Sequence, residues 1–376
     1  MFATTTILYK QLQGISFTLE TITYEIDIEE RKPTGFSLGK TLLQSPFDYI
    51  LSELLHEDMI RYVSVLEKAL EPQKNYLTET EYMIYHRGKK LRPMMLMLSA
   101  RLIHGDSPLP EKVIMSAVSL EMLHVATLIH DDIIDNALKR RGLDSVNATR
   151  GTNTAILVGD LQFVQAIRNF VDAIDTDKEM GLVKLVLDTA FKICCGELDE
   201  INTDPHWEIS ILKEKYFEVI ERKTAIMFGL ACETGAAIVR ARSRDARRIG
   251  FYGRRVGRAF QIMDDIFDSI QDESNSGKAK GVDLEQKRIS LPIIYAMEEL
   301  GGNHLVSQII KGTIQPDKHQ LQEGIRAINH SSAIARSYAD ARKEAIESLE
   351  YLSIFPQGKY REALEKIAMY TVDRSF

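Results

Sequence analysis

The chain carries one acidic pattern twice, Asp131-Asp132-Ile133-Ile134-Asp135 and Asp264-Asp265-Ile266-Phe267-Asp268. Each copy ends an apolar run of helical character, LEMLHVATLIH before the first and GRAFQIM before the second. Residues four apart share a helix face, so Asp131 stands over Asp135 and Asp264 over Asp268. Like charges at that spacing destabilise a helix by roughly a few tenths of a kcal/mol. A fold that places three carboxylates beside an apolar stripe, and does so twice, therefore needs a cation between them. A hard divalent ion with oxygen ligands fits that need, and Mg²⁺ bridging to a phosphate is its commonest form.

From about Pro46 to Phe376 the apolar residues recur with helical period, in runs often longer than 15 residues. Breaks fall at Ser107 to Pro110, Arg141 to Asn153, Asn202 to Trp207, Asp272 to Pro292, Gly301 to Asn303 and Pro356 to Gly358. No alternation of strand and helix appears, so an all-α bundle is expected, with polar groups projecting inward between facing helices. Residues 1–45 differ. ISFTLE and ITYEIDIE alternate apolar and polar, which predicts an irregular or short-strand N-terminal extension ahead of a helical domain over 46–376. A net charge of −7 argues against a general nucleic-acid binder, so any basic site must be local. Three cysteines make neither a disulfide framework nor a metal spacing, and a reducing, cytoplasmic setting is expected. No charge-free apolar run reaches 18 residues, so no membrane span is expected. The N-terminus reads neither as a secretory signal nor as a transit peptide.

Basic residues gather near the acidic motifs. Gly88-Lys89-Lys90-Leu91-Arg92-Pro93 opens the apolar segment MMLMLSARLI. Cations at a helix start oppose its dipole, which makes that position poor for stability and good for an anion. Arg140-Arg141 follow the first motif, Lys223-Thr224 interrupt an apolar segment, and Lys278 and Lys280 follow the second motif. His124 lies seven residues before Asp131, on about the same face. Carboxylates for metal beside Lys and Arg for phosphate oxygens make a site for diphosphate esters, gripped from two sides. A single acidic motif would more often be an ordinary helix end; two in matching contexts are not. The Met94-Met95-Met97 run and Cys194-Cys195 read as core filler, and Arg240 to Arg248 as a solvated helix face.

Taken together, these segments resemble the trans-isoprenyl diphosphate synthases, the polyprenyl synthetase family. The resemblance runs from Gly88 to Pro292 through GKKLRP, HDDIIDNALKRRG, NTAILVGD (the family's Gly-Asp helix start), RKTA, GRAFQIMDDIFD and GKAKGVDLEQKRISLP. It implies an isoprenoid-synthase-type helical bundle with a central cavity, a homodimer, and condensation of isopentenyl diphosphate with an allylic prenyl diphosphate. By the same resemblance, Lys89, Arg92, His124 and Arg141 hold the diphosphate of isopentenyl diphosphate. Asp131, Asp135, Asp264 and Asp268 hold several Mg²⁺ ions on the allylic diphosphate. Arg140, Lys223, Thr224, Gln261 and Lys278 contact the allylic substrate. The chemistry suits these residues: metal and cations stabilise charge growing on the leaving diphosphate, and no protein nucleophile is needed or stands out. No perturbed Glu or His presents itself as a base, which leaves the departed diphosphate to take the proton. Two departures stand in the loop expected to close over the diphosphate, where Gln286 replaces an acid and Lys287-Arg288 replace Gly-Lys.

The growing chain is expected to run back along the helix that ends in the first motif. Ala126 and Thr127, one turn upstream of Asp131, are small where short-chain members often carry aromatics. That predicts a long-chain product, with geranylgeranyl or farnesyl diphosphate as the alternative. A class I terpene cyclase usually carries an Asn/Ser/Glu pattern in its second metal motif. A non-catalytic partner subunit tends to lose an acidic motif, and this chain keeps both.

Overall fold

The computed structural model describes residues 46–270 and 282–373. The strand reading of residues 1–45 and the candidate lysines Lys278 and Lys280 lie outside them. The described chain is almost wholly helical: α1 (Pro46–Tyr49), α2 (His56–Leu70), α3 (Glu79–His86), α4 (Leu91–His104), α5 (Glu111–Ile134), α6 (Val146–Arg150), α7 (Thr152–Ala173), α8 (Thr176–Ile201), α9 (Ile209–Ile220), α10 (Ile226–Ile238), α11 (Ser243–Ile270), α12 (Val282–Glu285), α13 (Leu291–Leu300), α14 (Leu305–Ile310), α15 (Lys318–His330), α16 (Ala333–Leu352) and α17 (Lys359–Asp373). The expected breaks between helices fall where Pro, Gly and polar residues cluster. Two breaks hold more than a loop, and that from Asp272 to Pro292 contains α12. Between Arg141 and Asn153 lies part of a two-stranded hairpin, β1 (Lys139–Arg140) and β2 (Leu143–Asp144), followed by α6.

The chain forms two compact units. The first comprises Lys68–Leu91 and Glu121–Ala166. Here Thr78 and Glu81 close a reciprocal cap on α3, which satisfies two amides that a helix start otherwise leaves open. The Glu81 carboxylate also receives Arg150 Nη1 from the end of α6, at 2.9 and 3.0 Å. Its turn Arg141-Gly142 has both φ values in the left-handed region, 52° and 73°, as a type I′ hairpin requires.

The second unit holds the rest of the described chain, including α9 to α17. Its core gathers Ile262, Met263 and Ile266 of α11 with Leu284, Ile294 and Ile309 from the C-terminal helices. Two glycines one turn apart let α11 close on the preceding helix. A Cβ on Gly253 would stand 2.5 Å from the Phe228 carbonyl, and one on Gly257 would stand 2.7 Å from Ala225 Cα. Asp58 and Arg101 tie α2 to α4 through two buried bonds of 2.9 and 3.0 Å. One described helix, α5, is long and apolar enough to cross a membrane, with a mean hydropathy of 1.6. It is interrupted by Glu121 and buried over 72% of that stretch, the pattern of a core helix.

Candidate active site

Within the first unit, the last turn of α5 carries Asp131 and Asp132, and Asp135 follows directly in a turn, its N donating to Asp131 O at 2.8 Å. Helical phase separates their surroundings. Asp131 and Asp135 are half-buried on one face, whereas Asp132 is buried. Arg140 turns back from the hairpin and closes on Asp132 Oδ1 with Nε at 2.7 Å and Nη2 at 2.5 Å. Asn147 donates to the Asp132 carbonyl. The sequence reading set Arg140 against substrate; the structure engages it first with Asp132. Downstream of the motif, the Gly159-Asp160 pair of NTAILVGD lies inside α7 rather than at its start, because the helix begins at Thr152. A Cβ on Gly159 would stand 2.4 Å from His130 Nε2, and Asp160 lies 3.3 Å from the same nitrogen.

The glycine-lysine loop ahead of α4 splits its two lysines. Lys90 is drawn inward, with Nζ 2.9 Å from Glu121 and 2.8 Å from the Arg87 carbonyl. Burial lowers the Lys90 pKa, Arg141 adds to the lowering, and Glu121 opposes it. Lys89 is exposed and pairs with no acid among the described residues. Arg141 donates Nη1 to the carbonyls of Ile84 (2.9 Å) and Arg87 (2.8 Å) and to Glu121 (3.3 Å). His124 is half-buried on α5. Ala126 is fully buried on that helix and Thr127 is half-buried, its hydroxyl donating to the His124 carbonyl at 2.8 Å.

Within the second unit, a π turn over Glu221–Ala225 joins α9 to α10 and carries Lys223 and Thr224. Wide turns of this kind recur at functional sites because the extra residue redirects side chains. Lys223 Nζ lies 2.7 Å from Glu197 and 2.6 Å from Glu200, both on α8, and Arg222 pairs with Asp199. Gly196 makes room for the turn, since a Cβ there would meet Lys223 N at 2.7 Å. Thr224 Oγ1 donates to Gln261 (2.8 Å), Gln261 Nε2 donates to Asp265 (2.9 Å), and the Tyr216 hydroxyl donates to Asp265 (2.6 Å). Asp265 is thus held from behind, while Asp264 and Asp268 are half-buried. Asp268 Oδ2 receives the Asp283 amide at 3.1 Å. Arg92, at the start of α4, lies over the Phe228 ring at 4.4 Å.

The second motif concentrates negative charge. Burial pushes Asp265 up to about 7; the charge of Asp264 adds to this, and the bonds from Tyr216 and Gln261 oppose it. Asp283 stands well above the usual carboxylate range, through burial first and then the charges of Asp268 and Asp265. The expectation that no Glu or His stands out as a base does not cover these two aspartates, whose perturbation the sequence did not announce. They also test the fit to a cation. A hard divalent ion near these carboxylates would relieve their mutual repulsion. Among the described residues no three His, Cys, Asp or Glu side chains converge as a metal group. Mg²⁺ suits such a sparse set, because it is usually held by one or two carboxylates with water and substrate phosphates completing its shell.

Sequence reasoning missed Glu121, Tyr216 and Glu197; Asp283 stood in the quoted motif GKAKGVDLEQKRISLP without a role. Glu121 had a visible signal, as the one charge between Leu120 and His130. Tyr216 and Glu197 come from distant segments, and nothing local marks them.

The pattern of the polyprenyl synthetase family matches residues 73–328. The chain is 30% identical over 319 residues to heptaprenyl diphosphate synthase component 2 of Bacillus subtilis, covering 84% of this chain and 88% of that one. It is 28% identical over 329 residues to octaprenyl diphosphate synthase of Escherichia coli, covering 86% and 98%. A solved polyprenyl synthase from Caulobacter crescentus, complexed with calcium and isoprenyl diphosphate, superposes with a TM-score of 0.78 at 25% identity, covering 89% of this chain and 99% of that one. The chain belongs to the polyprenyl synthetase family and is a prenyltransferase with that family's helical fold.

Proposed function

We propose that this chain condenses isopentenyl diphosphate with an allylic prenyl diphosphate, releases diphosphate, and repeats the step to build a long-chain polyprenyl diphosphate. The observation that carries the reading is the split within each acidic motif. Asp132 and Asp265 are buried, whereas Asp131 with Asp135 and Asp264 with Asp268 are half-buried, Asp268 also accepting from the Asp283 amide. Those four carboxylates would hold Mg²⁺, which neutralises charge developing on the leaving diphosphate. Lys223, Thr224, Gln261 and Arg140 orient the allylic diphosphate, together with Lys278 from outside the described residues. Lys89, Arg92, His124 and Arg141 bind the isopentenyl diphosphate. The bond from allylic carbon to oxygen breaks, the alkene of the second substrate attacks that carbon, and the departing diphosphate takes the proton released. Apolar packing around α5 keeps water from the cation. Ala126 and Thr127 leave the chain path without aromatic bulk, and the relatives reported above are named for products of seven and eight prenyl units.

The protein acts as a homodimer in this reading. On α8, the side chains of Met180, Leu187, Phe191, Leu198 and Ile201 recur with helical spacing and are exposed, Phe191 by 70%. An apolar stripe of that length marks an interaction face. The test is mass spectrometry of products from the isolated chain with allylic primers, isopentenyl diphosphate and Mg²⁺. Polyprenyl diphosphates that require both substrates are expected, and Asp131→Ala/Asp135→Ala should lower turnover by on the order of 10² or more. Retained turnover in that variant, or hydrocarbon formed from the allylic substrate alone, would refute the reading. A chain inactive by itself would point to a second component, which the name of the Bacillus subtilis relative raises.

A further inference from the structure

We infer that Glu121 is a positioning residue for the isopentenyl diphosphate subsite, holding Lys90 and Arg141 so that Arg141 and Lys89 meet the ligand. The inference rests on the function proposed above. Glu121 is 2% exposed within the apolar part of α5, where an acid is costly unless paired. One lysine would neutralise it. It receives two cations instead, Lys90 Nζ at 2.9 Å and Arg141 Nη1 at 3.3 Å. The three groups together carry a net positive charge in a buried setting, which is unfavourable by itself and is relieved by an anion.

The geometry shows where that anion can be met. Among the described residues every acceptor of the Arg141 side chain falls on Nη1: Ile84 O, Arg87 O and Glu121. Its Nε and Nη2 have no acceptor among the described residues. Gly88, at φ +95°, lies against the guanidinium, and a Cβ there would stand 3.0 Å from Arg141 Cζ. Lys90 and Arg141 both hold left-handed backbone conformations, φ 51° and 52°, that side chains other than glycine rarely adopt. Arg87 Nη1 closes the circuit on the Arg141 carbonyl at 3.1 Å. Such strain persists where its surroundings over-determine it, and Glu121 is the group on which the loop and the hairpin turn converge. Drawing Lys90 inward leaves its neighbour Lys89 exposed.

The test compares Glu121→Gln and Glu121→Gln/Lys90→Met with wild type, reading KM for each substrate, kcat and Tm. Glu121→Gln should raise KM for isopentenyl diphosphate tenfold or more and leave KM for the allylic primer within twofold. The double variant removes the unpaired lysine and should recover Tm, but not the isopentenyl diphosphate KM, because Arg141 remains unanchored. If the single variant does not fold, the double variant carries the test. An unchanged isopentenyl diphosphate KM, an equal rise in both KM values, or recovery of that KM in the double variant would overturn the inference and leave the proposed function standing. A wild-type chain that forms no product from the two substrates, with or without a second component, would overturn both.

Discussion

Asp131 and Asp132 are neighbours of the same type, yet one is half-buried and the other is locked to Arg140. Lys89 and Lys90 divide in the same way, one outward and one onto Glu121. Identity alone does not assign such roles; helical phase and one distant partner do. His86, at the end of α3, shows the same dependence on surroundings. Burial first, and then the charge of Lys90, lower its pKa from 6.5 to about 4. The fold therefore favours the neutral ring. That contribution is complete above the unfolded value of 6.5 and is lost as the pH falls toward 4. Between pH 7 and pH 5 the wild type should lose roughly 2 kcal/mol more stability than His86→Gln, from the linkage of about 1.4 kcal/mol per pKa unit. Urea unfolding at the two pH values checks this, and parallel losses in the two proteins would rule it out.

Helix α5 was readable in advance as an apolar helix ending in acids, and its residues bear this out from Glu111 to Ile134. The π turn at Glu221–Ala225 was not readable, although Lys223-Thr224 stood out in the RKTA motif and as polar residues in an apolar segment. A wide turn depends on what the neighbouring helices allow, here Gly196 of α8 and Gly257 of α11. The hairpin at Lys139–Asp144 escaped for a related reason. Two residues per strand carry no period, and its register is held by bonds from Ser145 and Arg141 to other segments. For α5 the consequence concerns product length. Ala126 is fully buried, so Ala126→Phe inserts a ring into packed surroundings and should lower stability by about 1–3 kcal/mol. Where the ring enters the chain path, the longest product in a mass-spectrometric assay should lose several prenyl units. Full-length product from a folded variant would remove Ala126 from that path.

For the molecule as a whole, the exposed α8 stripe is the face assigned to the proposed homodimer. Charged groups on it should oppose self-association, because an unpaired charge in an apolar contact is costly. Phe191→Glu/Leu198→Lys should sediment as a monomer where the wild type sediments as a dimer, with little change in helical content. A dimer that survives both changes would move the interface elsewhere. Sequence pattern was enough for the helical class, the helix breaks and the family, because apolar period, turn residues and ordered motifs are local signals read within a few turns of chain. Only tertiary structure decided which of two adjacent acids, lysines or arginines turns inward. Each choice is made by a partner far along the chain, Glu121 for Lys90 and Arg141, Tyr216 for Asp265, Glu197 and Glu200 for Lys223. A buried charge is stable only where such a partner reaches it, and no window of sequence contains both.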